Sequence, residues 1–202
     1  MVAARLTRMK TQYYTATSID GFIADPDNSL EWLFTVGSSG DDGPMDDEYP
    51  NFMADVGAMA MGSTTYEWIA GHTGFLDNPG KWEYTLPTWV FSSRELPVPD
   101  GLDIRVVRGD VRPVHAEMAA AVSGRNIWLV GGGDLVGQFY DHGLLDELIL
   151  GVAPVFLGSG APLLPRRITA PTLKLTDVTR YGETFVTLRY TVMRPAGEEP
   201  VS

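Results

Sequence analysis

Asn126-Ile127-Trp128-Leu129-Val130 runs directly into Gly131-Gly132-Gly133, and helical spacing resumes over residues 134–140. Five residues with almost no polar alternation read as a strand covered on both faces, in the middle of a sheet. The glycines release that strand into a helix. Leu148-Ile149-Leu150-Gly151-Val152 has the same character, and Ala58-Met59-Ala60-Met61 stops at Gly62 before Ser63-Thr64-Thr65-Tyr66-Glu67-Trp68. Buried strands that pass into helices require parallel pairing through crossovers. The end of the chain differs, because Val186, Leu188, Tyr190 and Val192 alternate against Thr187, Arg189 and Thr191, behind a strand over 172–178 and a turn at Tyr181-Gly182. Period two with a tight turn means an antiparallel hairpin. The pattern predicts an α/β domain: a mostly parallel sheet flanked by helices, with an antiparallel C-terminal hairpin.

Working outward, Tyr13, Tyr14, Thr15 and Thr17 favour a first strand over 11–18, closed by a turn at Asp20-Gly21. Residues 25–50 carry turn formers and little apolar period, which predicts a long surface loop. Asp46, Asp47 and Glu48 crowd the expected first turn of a helix that runs to about Asp55, where negative charge suits the helix dipole. Residues 71–81 read as a loop, 88–91 as a strand ending at Ser92-Ser93-Arg94, and 102–107 as another strand. Pro113 suits the first position of a helix whose buried stripe is Val114, Met118 and Val122, and 154–165 reads as a Gly/Pro loop. Residues 1–10 are expected to be a tail, 11–193 a single domain, and 194–202 a disordered tail.

The chain has 202 residues, 44% hydrophobic and 20% charged, which excludes a disordered chain and leaves length for a real core. Fifteen basic against 26 acidic side chains give a net charge of −11, so nucleic acid and anionic membranes are poor partners. No apolar run approaches the roughly 20 residues that span a bilayer, and the first eight residues lack a secretory apolar stretch, so a cytoplasmic protein is expected. Zero cysteines and three scattered histidines, His72, His115 and His142, predict no disulfide and no metal site.

Gly62-Ser63-Thr64-Thr65, Ser92-Ser93-Arg94 and Gly131-Gly132-Gly133 each follow an apolar run. Together they offer backbone N–H groups, hydroxyls and a guanidinium at strand ends, a set that suits phosphates. Singly, triple glycine serves as a tight turn, Ser-Thr-Thr as a helix cap and Arg94 as a solvated cation. Neither a Rossmann fingerprint nor a Walker loop fits: the next glycine after Gly131-x-Gly133 falls at Gly137, one place late, and no Gly-Lys-Ser/Thr occurs.

In their order, Thr15-Ala16-Thr17-Ser18-Ile19-Asp20-Gly21-Phe22-Ile23-Ala24, Met61-Gly62-Ser63-Thr64-Thr65-Tyr66-Glu67, Phe91-Ser92-Ser93-Arg94 and Val130-Gly131-Gly132-Gly133 resemble the dihydrofolate reductase superfamily. Pro154-Val155-Phe156-Leu157-Gly158-Ser159-Gly160, followed by Pro162-Leu163-Leu164, brings the likeness closer to stand-alone relatives of the C-terminal reductase domain of the bifunctional riboflavin-biosynthesis deaminase/reductase. The resemblance implies NADPH laid along the strand ends. Ala16 and Ile23 would border the nicotinamide. Gly62, Thr64 and Thr65 would hold the pyrophosphate, with Val130, Gly132, Gly133, Asp134 and Leu135 on its other side, and Ser92, Ser93 and Arg94 would meet the 2′-phosphate. The basic residue common after the Met-Gly pair is replaced by Ser63.

The same resemblance puts the catalytic acid on the first helix, where Glu48 is preferred over Asp46 and Asp47 because Phe52 follows it one turn later. Asp20 falls beside the nicotinamide as a second catalytic candidate or a turn former, and Trp32 and Phe52 are candidate walls of the substrate pocket. The expected activity is an NADPH-dependent reduction of a small heteroaromatic, pterin-like or ribosylaminopyrimidine compound in a homodimer. The alternative is a catalytically silent nucleotide-binding or interaction protein on the same scaffold.

Overall fold

The computed structural model describes residues 8–37, 48–170 and 172–193. Eight strands form one sheet: β1 (Thr11–Thr17), β3 (Val56–Gly62), β4 (Thr88–Phe91), β5 (Ile104–Val107), β6 (Asn126–Gly131), β7 (Glu147–Val152), β9 (Leu173–Tyr181) and β10 (Phe185–Val192). Their spatial order is β5-β4-β3-β6-β1-β7-β10-β9. Every pairing from β5 to β7 is parallel, and β10 runs antiparallel to both β7 and β9. A small second ribbon joins β2 (Phe22–Ala24) to β8 (Ala161–Pro162). The predicted mixed α/β sheet is the one observed.

Period two explains why the central strands lack polar alternation, since neighbouring residues enter two different cores. Tyr13, Ala58, Ala60, Ile127 and Leu129 face helices α4 (Val111–Ala121) and α5 (Gly133–Asp141), where Val114, Met118, Val136 and Phe139 pack. Tyr14, Met59, Met61 and Trp128 face the opposite side, against Phe52 of α2 (Glu48–Asp55) and Tyr66 and Ile69 of α3 (Ser63–Thr73). Each fully buried aromatic such as Phe139 contributes about 1.5–3 kcal/mol of burial.

Three expectations change. Residues 25–50 are not all loop: α1 (Glu31–Gly37) starts where the Ser29 hydroxyl accepts from the Glu31 N–H at 3.1 Å, and Phe34 stacks on Trp68 and His72 of α3. The loop at 71–81 starts later than expected, because α3 continues to Thr73 and Pro79–Lys81 forms a short helical turn. Pro113 is the third residue of α4 and not the first, because Asp110 caps the helix by accepting from the Arg112 N–H at 2.9 Å. Proline is tolerated there because first-turn N–H groups have no partner within the helix.

The final hairpin presents its faces unevenly. Thr187 is fully buried under α2, whereas Val186, Leu188, Tyr190 and Val192 are only half-buried. Among the described residues no helix is long and apolar enough to cross a membrane, and no cluster of metal-ligating side chains occurs. Asp46, Asp47 and the tail at 194–202 lie outside the described residues.

Candidate functional site

The carboxyl ends of β1, β3, β4 and β6 open on one side of the sheet, where ligands bind in open α/β sheets. There α3 begins immediately after Gly62 and α5 immediately after Gly132, and neither start has a side-chain cap. Their first N–H groups are thus available to an anion. The two starts adjoin, since a Cβ on Gly62 would lie 3.8 Å from the Gly132 nitrogen, and the Gly131–Gly132 peptide is cis. Thr64 and Thr65 sit in the first turn of α3, and β6 ends one residue after Val130, at Gly131, where a Cβ would lie 3.2 Å from the Thr65 hydroxyl oxygen.

The glycines play separate parts. A Cβ at Gly132 would meet nothing within 4 Å, so this face stays open to a ligand. At Gly133 it would lie 2.2 Å from the Pro162 carbonyl oxygen and 2.6 Å from that of Leu163, so Gly133 lets α5 pack against the 161–164 segment. Asp134 also turns towards that segment. Its carboxylate meets Arg166 at 3.1 Å and is held below its ordinary value by that guanidinium and by Gln138. Arg166 also bonds Asp141 at 2.7 Å and covers Gly137.

A cavity of about 450 Å³ lies beyond β4 and β5, lined by Ser63, Phe91, Ser92, Ser93, Arg108, Gly109, Leu135 and Gln138. The structure therefore brings Ser92, Ser93 and Leu135 to the start of α3. Ser92 is buried and shapes the turn, accepting from the Arg94 N–H at 2.9 Å and donating to the Arg94 carbonyl at 2.8 Å. Arg94 itself departs from expectation. Its guanidinium pairs with Glu67 at 2.8 Å and is not among the cavity's lining groups. Arg108, which the sequence reading missed, lines the cavity and has no ion-pair partner among the described residues. The available signal was a basic residue directly after the 102–107 strand.

On the α2 side, Glu48 is fixed by three donors. One carboxylate oxygen accepts from the Tyr181 hydroxyl at 2.9 Å and from Thr187 at 2.8 Å, and the other accepts from Arg189 at 3.3 Å. Arg189 bridges to Glu147 at 3.3 Å, which also takes Lys10 at 3.2 Å and the Gln12 amide. Burial, with the neighbouring Glu48, pushes the Tyr181 hydroxyl up to about 12. Thr187, Gly151 and Ala16 stand opposite one another on β10, β7 and β1. Two strand spacings of about 4.8 Å put the Glu48 contact roughly 10 Å from Ala16. Ala16 and Ile23 are half-buried at the end of β1 and in β2. Phe52 is buried edge-on against Tyr14 at 4.7 Å, and it lines the cleft beside Glu48. Trp32 lies in α1 with its indole N–H buried and, among the described residues, without a hydrogen-bond partner.

Asp20 ties the turn after β1 to the segment after β7. One oxygen accepts from Ser18 at 2.6 Å and Leu157 N–H at 3.1 Å, the other from Gly158 N–H at 2.7 Å. The Ser18 hydroxyl, with the Gly158 and Leu157 amides, holds the carboxyl below the usual 3.8. A lowered folded value means stability that is present above that ordinary value and lost as pH falls through the folded one. The Leu157 and Gly158 amide resonances should therefore titrate with a midpoint below 3.8 and stay fixed in Asp20→Asn. A midpoint above it would sink the assignment.

Protein YwjB of Bacillus subtilis (strain 168) is 32% identical to this chain over 177 residues, covering 86% of the chain and 93% of YwjB. A putative riboflavin biosynthesis protein from Shewanella sp. PV-4 superposes with a TM-score of 0.76 at 24% identity, over 92% of this chain and all of that one. Dihydrofolate reductase from Enterococcus faecalis, complexed with NADP(H), gives 0.56 at 13% identity, over 92% of this chain and 99% of that one. The fold is thus that of dihydrofolate reductase-like enzymes. The RibD C-terminal domain model matches residues 10–187, and the chain belongs to that family.

Proposed function

We propose that this protein is an NADPH-dependent reductase of a small heteroaromatic compound, of pterin or pyrimidine type. The observation that carries this reading is a single cavity into which Ser63 at the uncapped start of α3, Ser92, Ser93 and Arg108, without an ion-pair partner among the described residues, all open. That donor set fits the phosphate of a dinucleotide: open backbone N–H groups, hydroxyls and one guanidinium. NADPH, when bound, supplies the hydride. Gly132 gives the backbone room beside the pyrophosphate, and Ala16 and Ile23 border the reaction end. Glu48, roughly 10 Å across the same face from Ala16, is placed to orient a ring between them and to pass it a proton taken up from solvent.

Calorimetric titration with NADPH and NADH, followed by a turnover screen on pterins, pyrimidines and quinones, tests the reading. NADPH should bind tighter than NADH and be consumed with at least one class. Failure to bind either cofactor overturns the reading, and binding without any turnover transfers the chain to the silent nucleotide-binding alternative.

The half-covered face of the hairpin supports a homodimer. Leu175 is 49% and Val178 55% exposed, opposite Tyr190 and Leu188 in the ladder. Cross-strand partners share a face, so these four make one apolar strip beside Leu150. Light scattering at micromolar concentration should give twice the chain mass, and Leu175→Glu with Val178→Glu should halve it. A monomeric wild type would count against pairing.

A further inference from the structure

We infer that Glu147 is a positioning residue for Glu48: by holding one end of Arg189, it keeps that guanidinium from closing on Glu48 and leaves one oxygen of the acid open. This rests on the reductase reading only in making Glu48 the acid that serves the reaction. Glu147 is 4% exposed, on the α2 side of β7, level with Gln12 on β1 and Thr191 on β10. A carboxylate that deep is costly unless donors surround it. One of its oxygens takes Lys10 at 3.2 Å, and the other takes Arg189 at 3.3 Å together with the Gln12 amide. Lys10 and Gln12 thereby fix Glu147, and Glu147 fixes Nη1 of Arg189.

The other end of the guanidinium, Nη2, reaches Glu48 Oε1 at 3.3 Å. A guanidinium and a carboxylate favour a two-pronged grip, with both ends on both oxygens. Here the fork is split between two acids. Glu48 Oε2 already takes Tyr181 and Thr187, so Oε1, with this one long contact among the described residues, is the oxygen left for a substrate. An uncharged side chain at 147 would release Nη1 and let Arg189 turn both ends on Glu48, which would cover Oε1 and favour the charged form of the acid. Around Glu48 also stand Tyr14 on β1, Asp55 further along α2, and Asp177 and Tyr181 on β9. Among the described residues Arg189 forms ion pairs with Glu48 and Glu147 alone. Asp177 stands opposite Arg189 in the ladder, but its carboxylate accepts from Thr179 at 2.7 Å.

Carboxyl ¹³C resonances of the full chain, with the Glu48 signal assigned by its loss in Glu48→Gln, follow proton uptake at Glu48 without any substrate. Glu147→Gln should move that midpoint down by about one pH unit, and Lys10→Met should move it up by about half a unit, because Glu147 then draws Arg189 harder. In an Arg189→Met background both shifts should shrink below about 0.3 unit, since the coupling runs through the guanidinium. Should Glu147→Gln fail to fold in thermal unfolding, the half-exposed Lys10 carries the same test. On a substrate that is turned over, Glu147→Gln should cut the single-turnover rate of hydride transfer about tenfold at neutral pH, as one unit leaves about a tenth as much protonated acid. NADPH affinity should change by less than about twofold, and Glu147→Asp, which keeps the charge, should restore most of the rate. Midpoints that stay put, shifts that persist without Arg189, or a wild-type rate in Glu147→Gln overturn the inference. Midpoints that move as stated in a protein that turns nothing over end the reductase reading alone, and turnover with fixed midpoints ends this one alone.

Discussion

Glu48→Gln should slow hydride transfer by about 10²- to 10⁴-fold on any substrate that must take up a proton, with NADPH affinity changed by less than about twofold. The asymmetry follows from position. Glu48 shares a register row with Ala16 through Thr187 and Gly151, whereas the cavity that holds Arg108 lies beyond β4 and β5. Glutamine keeps the shape, but its N–H₂ either faces Arg189, which can only donate, or requires the Tyr181 and Thr187 hydroxyls to turn and accept. The side chain therefore loses both its charge and its orientation. Single-turnover measurement separates this from cofactor binding, and thermal unfolding checks that the variant is folded. Asp46→Asn and Asp47→Asn should turn over at close to the wild-type rate. If all three variants match wild type, the proton reaches the substrate from water or from another group.

Arg108→Ala should weaken NADPH by about ten- to a hundredfold while leaving NADH almost untouched, because NADH lacks the 2′-phosphate that a guanidinium can grip through two charge-assisted hydrogen bonds. Arg94→Ala should do far less. The sequence favoured Arg94 for this task, but its charge is engaged by Glu67 outside the cavity lining. Arg108 instead supplies the cation that Ser63 does not, reaching the same cavity from the neighbouring strand end. Raising salt should narrow the wild-type preference for NADPH, since charge is its source. Equal loss of both cofactors in Arg108→Ala would make the residue structural, and a larger effect at Arg94 would return the phosphate to the first assignment.

The central strands were legible because burial on both faces removes polar alternation, as in Asn126-Ile127-Trp128-Leu129-Val130. The starts of α3 and α5 were legible from the glycines before them. The seven-residue α1 was not, because so short a helix shows no sustained period and the rings on which Phe34 stacks, Trp68 and His72, lie more than thirty residues further along the chain. Glu48 stood out as an acid at a helix start, but the groups that fix it did not. Tyr181, Thr187 and Arg189 lie 133, 139 and 141 residues away in sequence, and only the sheet order brings them under α2. The hairpin's alternation was visible, but which phase faced a helix was not. Thr187 is the covered residue of that phase, and Glu48 gives it and Arg189 polar partners there.

The segment from Gly158 to Arg166 is fastened at both ends and in its middle: Gly158 to Asp20, Pro162 and Leu163 against Gly133, and Arg166 to Asp134 and Asp141. Surface connections ordinarily absorb added residues at small entropic cost. This one cannot, since a single inserted residue would put its three fastenings out of phase with α5 and with the turn after β1. Its length is therefore a fixed dimension of the molecule, like the span of a beam between bolts. Variation in reach towards different substrates must come from the connections that carry no such bolts.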